Sequence, residues 1–452
     1  VGPDLVRLDP VSVRYLARRL AKCGVNLVRV HGAIHDERGA DPAKPDLAYV
    51  ARVQAFVAAL RAEGVYAVLS FHFPLWVDVR PAHGLEGYEG QDRHPFALLF
   101  FDARMQALWK GWARGLLRTP DPATGRTLAE EPAIAAIEVQ NEDSLLFFTF
   151  DPGRRIPLAR IEGFERSFAA WLATRHGSCE QALASWGGAR RGRDDPAARR
   201  MELMPAWNLT GAGHGEGGAR RRASDQLRFL AAAQRRFHEE AVAYLREDLG
   251  AKSLVVCGNW HTADPRVLDG IERFTYTPGD LLDQHGYFGG DARGDGAAYA
   301  VRTGQTFRDR PALLDPAALP LAVNSVEGFP HGISEVNWPN PNRFRAEFPL
   351  LAAATAAHQG VDALQLFAVN GPSWSGTADK FPLSTPLGMG QFPGCALVYR
   401  RGDVREGEVI FHESLDLEQQ YDFRGAAAAT PRALDGLRDE GVPPGGTARG
   451  GD

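Results

Sequence analysis

The sequence predicts an α/β fold, a barrel of parallel strands joined by helical crossovers, on three observations. A unit of helix, glycine, valine and short apolar strand recurs along the chain; the strand runs are apolar enough to be buried on both faces; and they end in polar or aromatic residues. Residues 132–144, PAIAAIEVQNEDS, show the last two features together: an almost uniformly apolar run over 133–139 stops at Gln140, Asn141, Glu142 and Asp143. Parallel barrels build their active sites at such carboxyl ends, which makes Asn141 and Glu142 the first candidates for chemistry. The plainer reading is that Asn-Glu-Asp-Ser only begins a loop or caps a helix.

The unit begins at Asp9-Pro10, a capping side chain followed by proline, continues through Leu16 and Leu20 to Gly24, and delivers the strand VNLVRVH. Asp46 opens the second helix, with Val50, Val53, Val57 and Leu60 on one face up to Gly64, and VYAVLSFHF follows. Gln359-Gly360-Val361 repeats the signal before DALQLFAV, and Leu249-Gly250 repeats it more weakly before KSLVVCGN. Strands are expected near Val25, Val65, Ile134, Leu254, Leu282, Gly332 and Ala363, seven in all. A closed (β/α)8 TIM barrel needs an eighth, so the first strand is expected to be missing ahead of Val1.

Residues 1–400 are read as one catalytic domain with an insertion at about 150–224, whose Arg- and Gly-rich core GGARRGRDDPAARR reads as a solvated loop. Within it, Trp207 could stack on a ligand or simply pack. Residues 401–424, with VIFHES near Val409 as a strand, are expected to start a C-terminal β module, and 425–452 to form a disordered tail.

The chain's 452 residues, 44% hydrophobic and 24% charged with a net charge of -5, offer no basic surface for nucleic acid. No apolar stretch reaches the roughly 18 residues of a membrane span. Cys23, Cys179, Cys257 and Cys395 are far apart and form no C-x-x-C pair, which favours buried thiols over a disulfide framework.

The expected strand ends collect Arg29 and His31, His72 and Trp76, Asn141 and Glu142, Asn259 and Trp260, His285 and Tyr287, Glu335, and Trp374. Trp338 follows the seventh. Each alone has a structural explanation, but seven strands converge on one face. Two carboxylic acids among aromatic platforms and neutral donors suit a sugar site, one acid protonating the leaving oxygen and the other attacking or activating water. No cofactor is needed for that chemistry, and the partner is a carbohydrate.

VRVH, SFHFPLW, EVQNED, HGY, HGISEVNWP and a tryptophan after the last strand resemble clan A of the glycoside hydrolases, the cellulase-like family five above all. The resemblance spans roughly residues 11–374. It implies a retaining mechanism with Glu142 as acid/base and Glu335 as nucleophile, Asn141 at the sugar 2-hydroxyl, Arg29 and Tyr287 on the nucleophile, and His72 and His285 on substrate or carboxylates. A retaining pair should lie roughly 5–5.5 Å apart. Glu327, in LAVNSVEG, competes with Glu335, which ends HGISEV directly before the WPNPN loop and is preferred.

The implied substrate is a β-linked glucan- or mannan-type saccharide. The stretch RHGSCEQALASWGG resembles one in galactosidase-like members of the clan and keeps an exo-acting β-galactosidase-like enzyme open. Two other readings stand: a metal-dependent barrel hydrolase using His31, His72, His285 and Asp283, and a non-catalytic carbohydrate-binding barrel. No metal is expected, since no H-x-H or H-E-x-x-H pair occurs. Enzymes on polysaccharides are commonly exported, so an extracytoplasmic location is the expectation.

Overall fold

The computed structural model describes residues 1–35, 41–89, 93–289, 291–314, 319–321, 325–374, 379–409 and 412–424. The repeated unit has a clear physical basis. Asp9 caps the Pro10–Lys22 helix by accepting from Val11 N and Ser12 N, and Asp46 caps Leu47–Ala62 through Tyr49 N. At the far ends, Gly24 and Gly64 adopt φ of 91° and 73°, where a side chain would be strained. Val25 N then returns to Leu20 O and Val65 N to Leu60 O, which satisfies helix carbonyls and turns the chain into the next strand.

Among the described residues seven parallel strands form two arcs. The first runs β1 (Leu27–His31), β2 (Tyr66–Ser70), β3 (Ile134–Glu138) and β4 (Leu254–Val256) in sequence order. The second pairs β5 (Leu282–Tyr287) with β8 (His331–Asn337) and β8 with β9 (Ala363–Leu366). Val1 lies along β1, donating to Arg29 O at 2.8 Å and accepting from His31 N at 2.9 Å.

Side chains alternate along each strand, and the inward ones stack in layers. Val68, Ala136 and Val256 form a small apolar cluster with Leu27 and Leu281 packed against it. Two residues further along the same strands come Arg29, Ser70 and Glu138, a polar layer toward the carboxyl ends. The larger core lies between strands and helices, with Trp109 and Trp112 fully buried. All four cysteines are free and buried.

Several expectations are corrected. Between β5 and β8 the chain forms an antiparallel hairpin, β6 (Asp291–Arg293) and β7 (Thr306–Arg308), whose three-residue strands are too short to show alternation. The Arg-rich stretch 187–200 is irregular and largely exposed, as expected, but it is pinned in place. Arg193 bonds Glu165, Arg191 bonds Glu202, and Arg222, 2% exposed on the helix that follows, holds Asp194 of the loop with two nitrogens at 2.5 and 2.8 Å.

No strand occurs in 401–409 or 412–424. Instead the Leu417–Tyr421 helix, capped by Asp416, docks through Glu418 and Asp422 onto Arg228. Residues 410–411 of VIFHES and the tail at 425–452 lie outside the described residues. Among the described residues, no helix is long and apolar enough to cross a membrane.

Removing one partner of a buried ion pair strands the other charge. Arg222→Met is therefore expected to cost about 3–5 kcal/mol in urea unfolding, and the double variant Arg222→Met/Asp194→Leu to cost less. A double variant less stable than the single one would contradict this account of the insertion.

Candidate active site

At the carboxyl ends of the strands one guanidinium joins both arcs. Arg29 Nε and Nη2 donate to the two oxygens of Glu138 at 2.8 and 2.9 Å, Nη2 also to Ser70 Oγ at 3.1 Å and Asn141 Oδ1 at 2.6 Å, and Nη1 to Glu335 Oε1 at 2.5 Å. Tyr287 donates to the other oxygen of Glu335. His285 lies between the two glutamates, its Nδ1 2.7 Å from Glu142 Oε1 and 3.7 Å from Glu335 Oε2, with Nε2 on Ser334 Oγ at 2.9 Å.

Glu142 sits on a strained backbone with φ of 46°. Two bonds hold it there: its N–H donates to Asn259 Oδ1 at 3.0 Å, and Asn141 N–H donates to His72 O at 2.9 Å. Asn259 also donates to Asn141 Oδ1 at 3.4 Å. With the bond from Arg29, that oxygen accepts two hydrogen bonds, which leaves the Asn141 amide nitrogen as the donor end of the side chain.

Burial disfavours the Glu335 carboxylate, yet the charges of His285 and Arg29 and the bonds from Tyr287 and Arg29 outweigh it and hold the group below the ordinary carboxylate range. Burial likewise opposes the His285 imidazolium, but Glu335 and the hydrogen-bonded Glu142 raise it above 6.5. His31 is driven well below its usual value by burial and Arg29, so its 3.7 Å approach to Glu335 is a contact of a neutral ring. His31 Nδ1 meets Ser70 Oγ at 2.9 Å, and Trp76 stands edge-on to His31 at 4.5 Å.

Not every expected residue gathers here. The His72 ring, pushed down to about 3 by burial, packs toward Trp112, and the backbone carbonyl of His72 is what reaches the site. Trp260 packs against Phe147 and His261 beside Asn259. Trp338 is corrected: it is 0% exposed, between Phe348 and Phe288, because its alternation on the chain beyond β8 points it into the second core. Trp374 is corrected too; it lies over the Arg19 guanidinium at 5.0 Å, on the Pro10–Lys22 helix. Phe367 and Phe381 stand beside Tyr287 instead, at 6.1 and 5.1 Å. Glu327 falls in a turn before β8, while Glu335 is inside β8.

Glu138, Ser70 and Ser334 were not anticipated. The signal for Glu138 was present: a glutamate inside a doubly buried strand run requires a cationic partner.

The ligating atoms of Glu142, His285 and Glu335 all lie within 4.8 Å of one another, a spacing that a metal ion could use. A divalent ion there would compete with the Arg29 guanidinium and a cationic His285. Among the described residues the alternative set of His31, His72, His285 and Asp283 does not gather its ligating atoms in this way, and Asp283 Oδ1 accepts from Gln284 N and Ser334 N.

No family model matches the chain, and no curated protein matches it. Among solved structures, a polyextremophilic β-galactosidase from the Antarctic haloarchaeon Halorubrum lacusprofundi is similar with a TM-score of 0.60 at 16% identity, over 93% of this chain and 61% of that one. An endo-1,4-β-mannanase from Rhizomucor miehei is similar with a TM-score of 0.51 at 11% identity, over 88% and 92%. These likenesses show the fold, a (β/α)8-type barrel, of which seven parallel strands lie among the described residues. The barrel described here spans about three fifths of the length of the β-galactosidase.

Behind the Glu142 loop of this barrel, Asp143 accepts from Ala97 N at 2.6 Å and Glu272 accepts from Ser144 Oγ at 2.7 Å. Burial pushes both carboxyls up to about 7 despite these bonds. An acid with a raised folded pKa loses stability for the fold as pH rises from the ordinary carboxylate range through that value. His285 acts in the same direction, its contribution complete below 6.5 and lost as pH climbs through its higher folded value. Glu335 acts oppositely, its contribution lost only as pH falls below the ordinary carboxylate range. His31 and His72, whose rings burial keeps neutral, act against these acids, since such a ring gains stability for the fold as pH rises toward 6.5. Asp143→Asn, which removes one raised acid, is therefore expected to shift the change in thermal midpoint from about pH 5 to 8 in the stabilising direction relative to the unsubstituted protein. An unchanged difference between the two pH values in the variant would contradict the burial argument.

Proposed function

We propose that the chain is a retaining glycoside hydrolase acting on β-linked saccharides, with Glu335 as nucleophile and Glu142 as acid/base. The observation that carries this reading is the distance between them: a carboxylate oxygen of Glu142 and one of Glu335 lie within 4.8 Å. A retaining pair stands at roughly 5–5.5 Å, and an inverting pair leaves roughly 6.5–9.5 Å for a water. The asymmetry of their surroundings supports the assignment. Glu335 is held ionised by Arg29 and His285 and is bonded at both oxygens, whereas Glu142 is bonded at one, by His285.

In the first step Glu335 attacks the anomeric carbon while Glu142 gives a proton to the departing oxygen, leaving a glycosyl ester on Glu335. In the second step Glu142 takes a proton from water as that water displaces the ester, and Glu335 leaves as the carboxylate. Tyr287 and Arg29 bind the two oxygens of Glu335 in the resting site and accept it back as leaving group. The free Asn141 amide hydrogen is the donor to the sugar 2-hydroxyl, a bond that strengthens in the transition state.

The substrate proposed is a β-linked glucan- or mannan-type saccharide; one structural neighbour is an endo-1,4-β-mannanase and another a β-galactosidase. The stretch that resembles galactosidase-like members is held together by Asp225 on the Gly217–Ala243 helix, which accepts from Trp186 Nε1 and meets His176 Nε2.

Glu335→Ala is expected to abolish turnover of β-glucosides, β-mannosides and β-galactosides alike. Glu142→Ala should slow poor leaving groups about 10²–10⁴-fold while sparing activated aryl ones. Turnover should also survive dialysis against a chelator. Activity retained by Glu335→Ala would sink the nucleophile, and chelator-sensitive activity restored by zinc would assign the Glu142, His285 and Glu335 cluster to a metal instead.

A further inference from the structure

Tyr287 has two neighbours of different character. Its hydroxyl meets Glu335, and its side also lines a cavity of about 230 Å³ walled by the β6–β7 hairpin and by the segments that follow β8 and β9. Phe307, Phe381 and Asn340 supply much of that wall. The volume is below the roughly 300–1,000 Å³ of sites for drug-sized ligands, so it suits one ring or one substituent of a longer chain.

The charged side chains among the described lining residues are Lys380 and Arg308, both cations. Lys380 is 8% exposed; its ammonium donates to Ala297 O at 2.8 Å and lies 5.2 Å from the Phe307 ring. Among the described residues no carboxylate stands within ion-pair distance of it, and Arg308 has no ion pair either. Their neighbour Arg343 is neutralised by Asp309 at 2.6 Å. Burial pushes the Lys380 ammonium below its ordinary value, as expected of a cation short of counter-charge. An ammonium has three donors and Lys380 spends one, so two remain for an arriving anion in a poorly solvated place.

We infer that this cavity is a subsite for the carboxylate of a hexuronate residue in the substrate, held by Lys380 and Arg308. The inference rests on the reading of the adjoining cluster as a glycosidase site. A planar carboxylate offers one oxygen to the ammonium and one to the guanidinium, while Phe307 and Phe381 give apolar faces for the sugar's C–H surface. The β6–β7 hairpin is then the element that confers preference for acidic saccharides.

The test is calorimetric binding to full-length Glu335→Gln, which turns over nothing, of a β-linked oligosaccharide bearing one glucuronate and of the same oligosaccharide carboxyl-reduced to glucose. The acidic form should bind roughly tenfold more tightly, a preference that weakens with added salt. Lys380→Met, which keeps the stem's volume, should remove most of it. Arg308→Gln, on an exposed hairpin position, should reduce it without threatening the fold. Equal affinities, no measurable affinity for the acidic form, or a preference surviving both variants would overturn the subsite. Because this readout needs no turnover, a wild-type chain that hydrolyses neutral glycosides but binds both forms equally loses the subsite and keeps the reaction. The opposite pattern keeps the subsite and loses the reaction.

Discussion

The buried guanidinium of Arg29 is the constraint on which the rest of the site depends. A cation taken out of water is tolerated only when its hydrogen bonds and its charge are both answered, and Arg29 is answered from three other strands. Ser70 on β2, Glu138 ending β3, Asn141 just beyond it and Glu335 on β8 all turn to it. The two arcs of sheet are therefore tied across the barrel by one side chain. The positions of Glu138, Asn141 and Glu335 are consequences of that chemistry as much as of backbone register.

From this knot the division of labour between two identical side chains follows. Glu335 receives Arg29 and Tyr287 and faces the His285 ring; the Glu142 carboxylate is reached by that ring, and its backbone, at positive φ, is held by bonds through Asn259 and His72. The apolar layer of Val68, Ala136 and Val256 beneath keeps water from entering from below. Layering of this kind comes from strand alternation: the same strands supply the dry layer and, two residues later, the charged one.

Much of this was legible in the sequence because the barrel's strands announce themselves and their ends are polar. The seven parallel strands fell where the glycine-valine signals and apolar runs put them, and Arg29, Asn141, Glu142, His285, Tyr287 and Glu335 do lie together. What strand ends cannot reveal is direction. Trp338 and Trp374 were counted with the site by proximity in sequence, yet one points into the core and the other onto an outer helix. His72 contributes a carbonyl, not its ring. Glu138 was hidden inside a run read as apolar, and the ion pairs that pin the exposed Arg-rich loop were not legible because a partner such as Glu165 lies far away in sequence. The short β6–β7 hairpin carried no periodic signal at all.

The central claim, that Glu335 attacks the sugar, is tested most directly by trapping. The intact chain is incubated with a set of 2-deoxy-2-fluoro β-glycosides, digested, and the labelled peptide identified by mass. The account predicts a single covalent label on Glu335, formed with at least one sugar of the set. A label on Glu327 or on any other carboxylate, or a water-derived product of inverted configuration with no label, would contradict it.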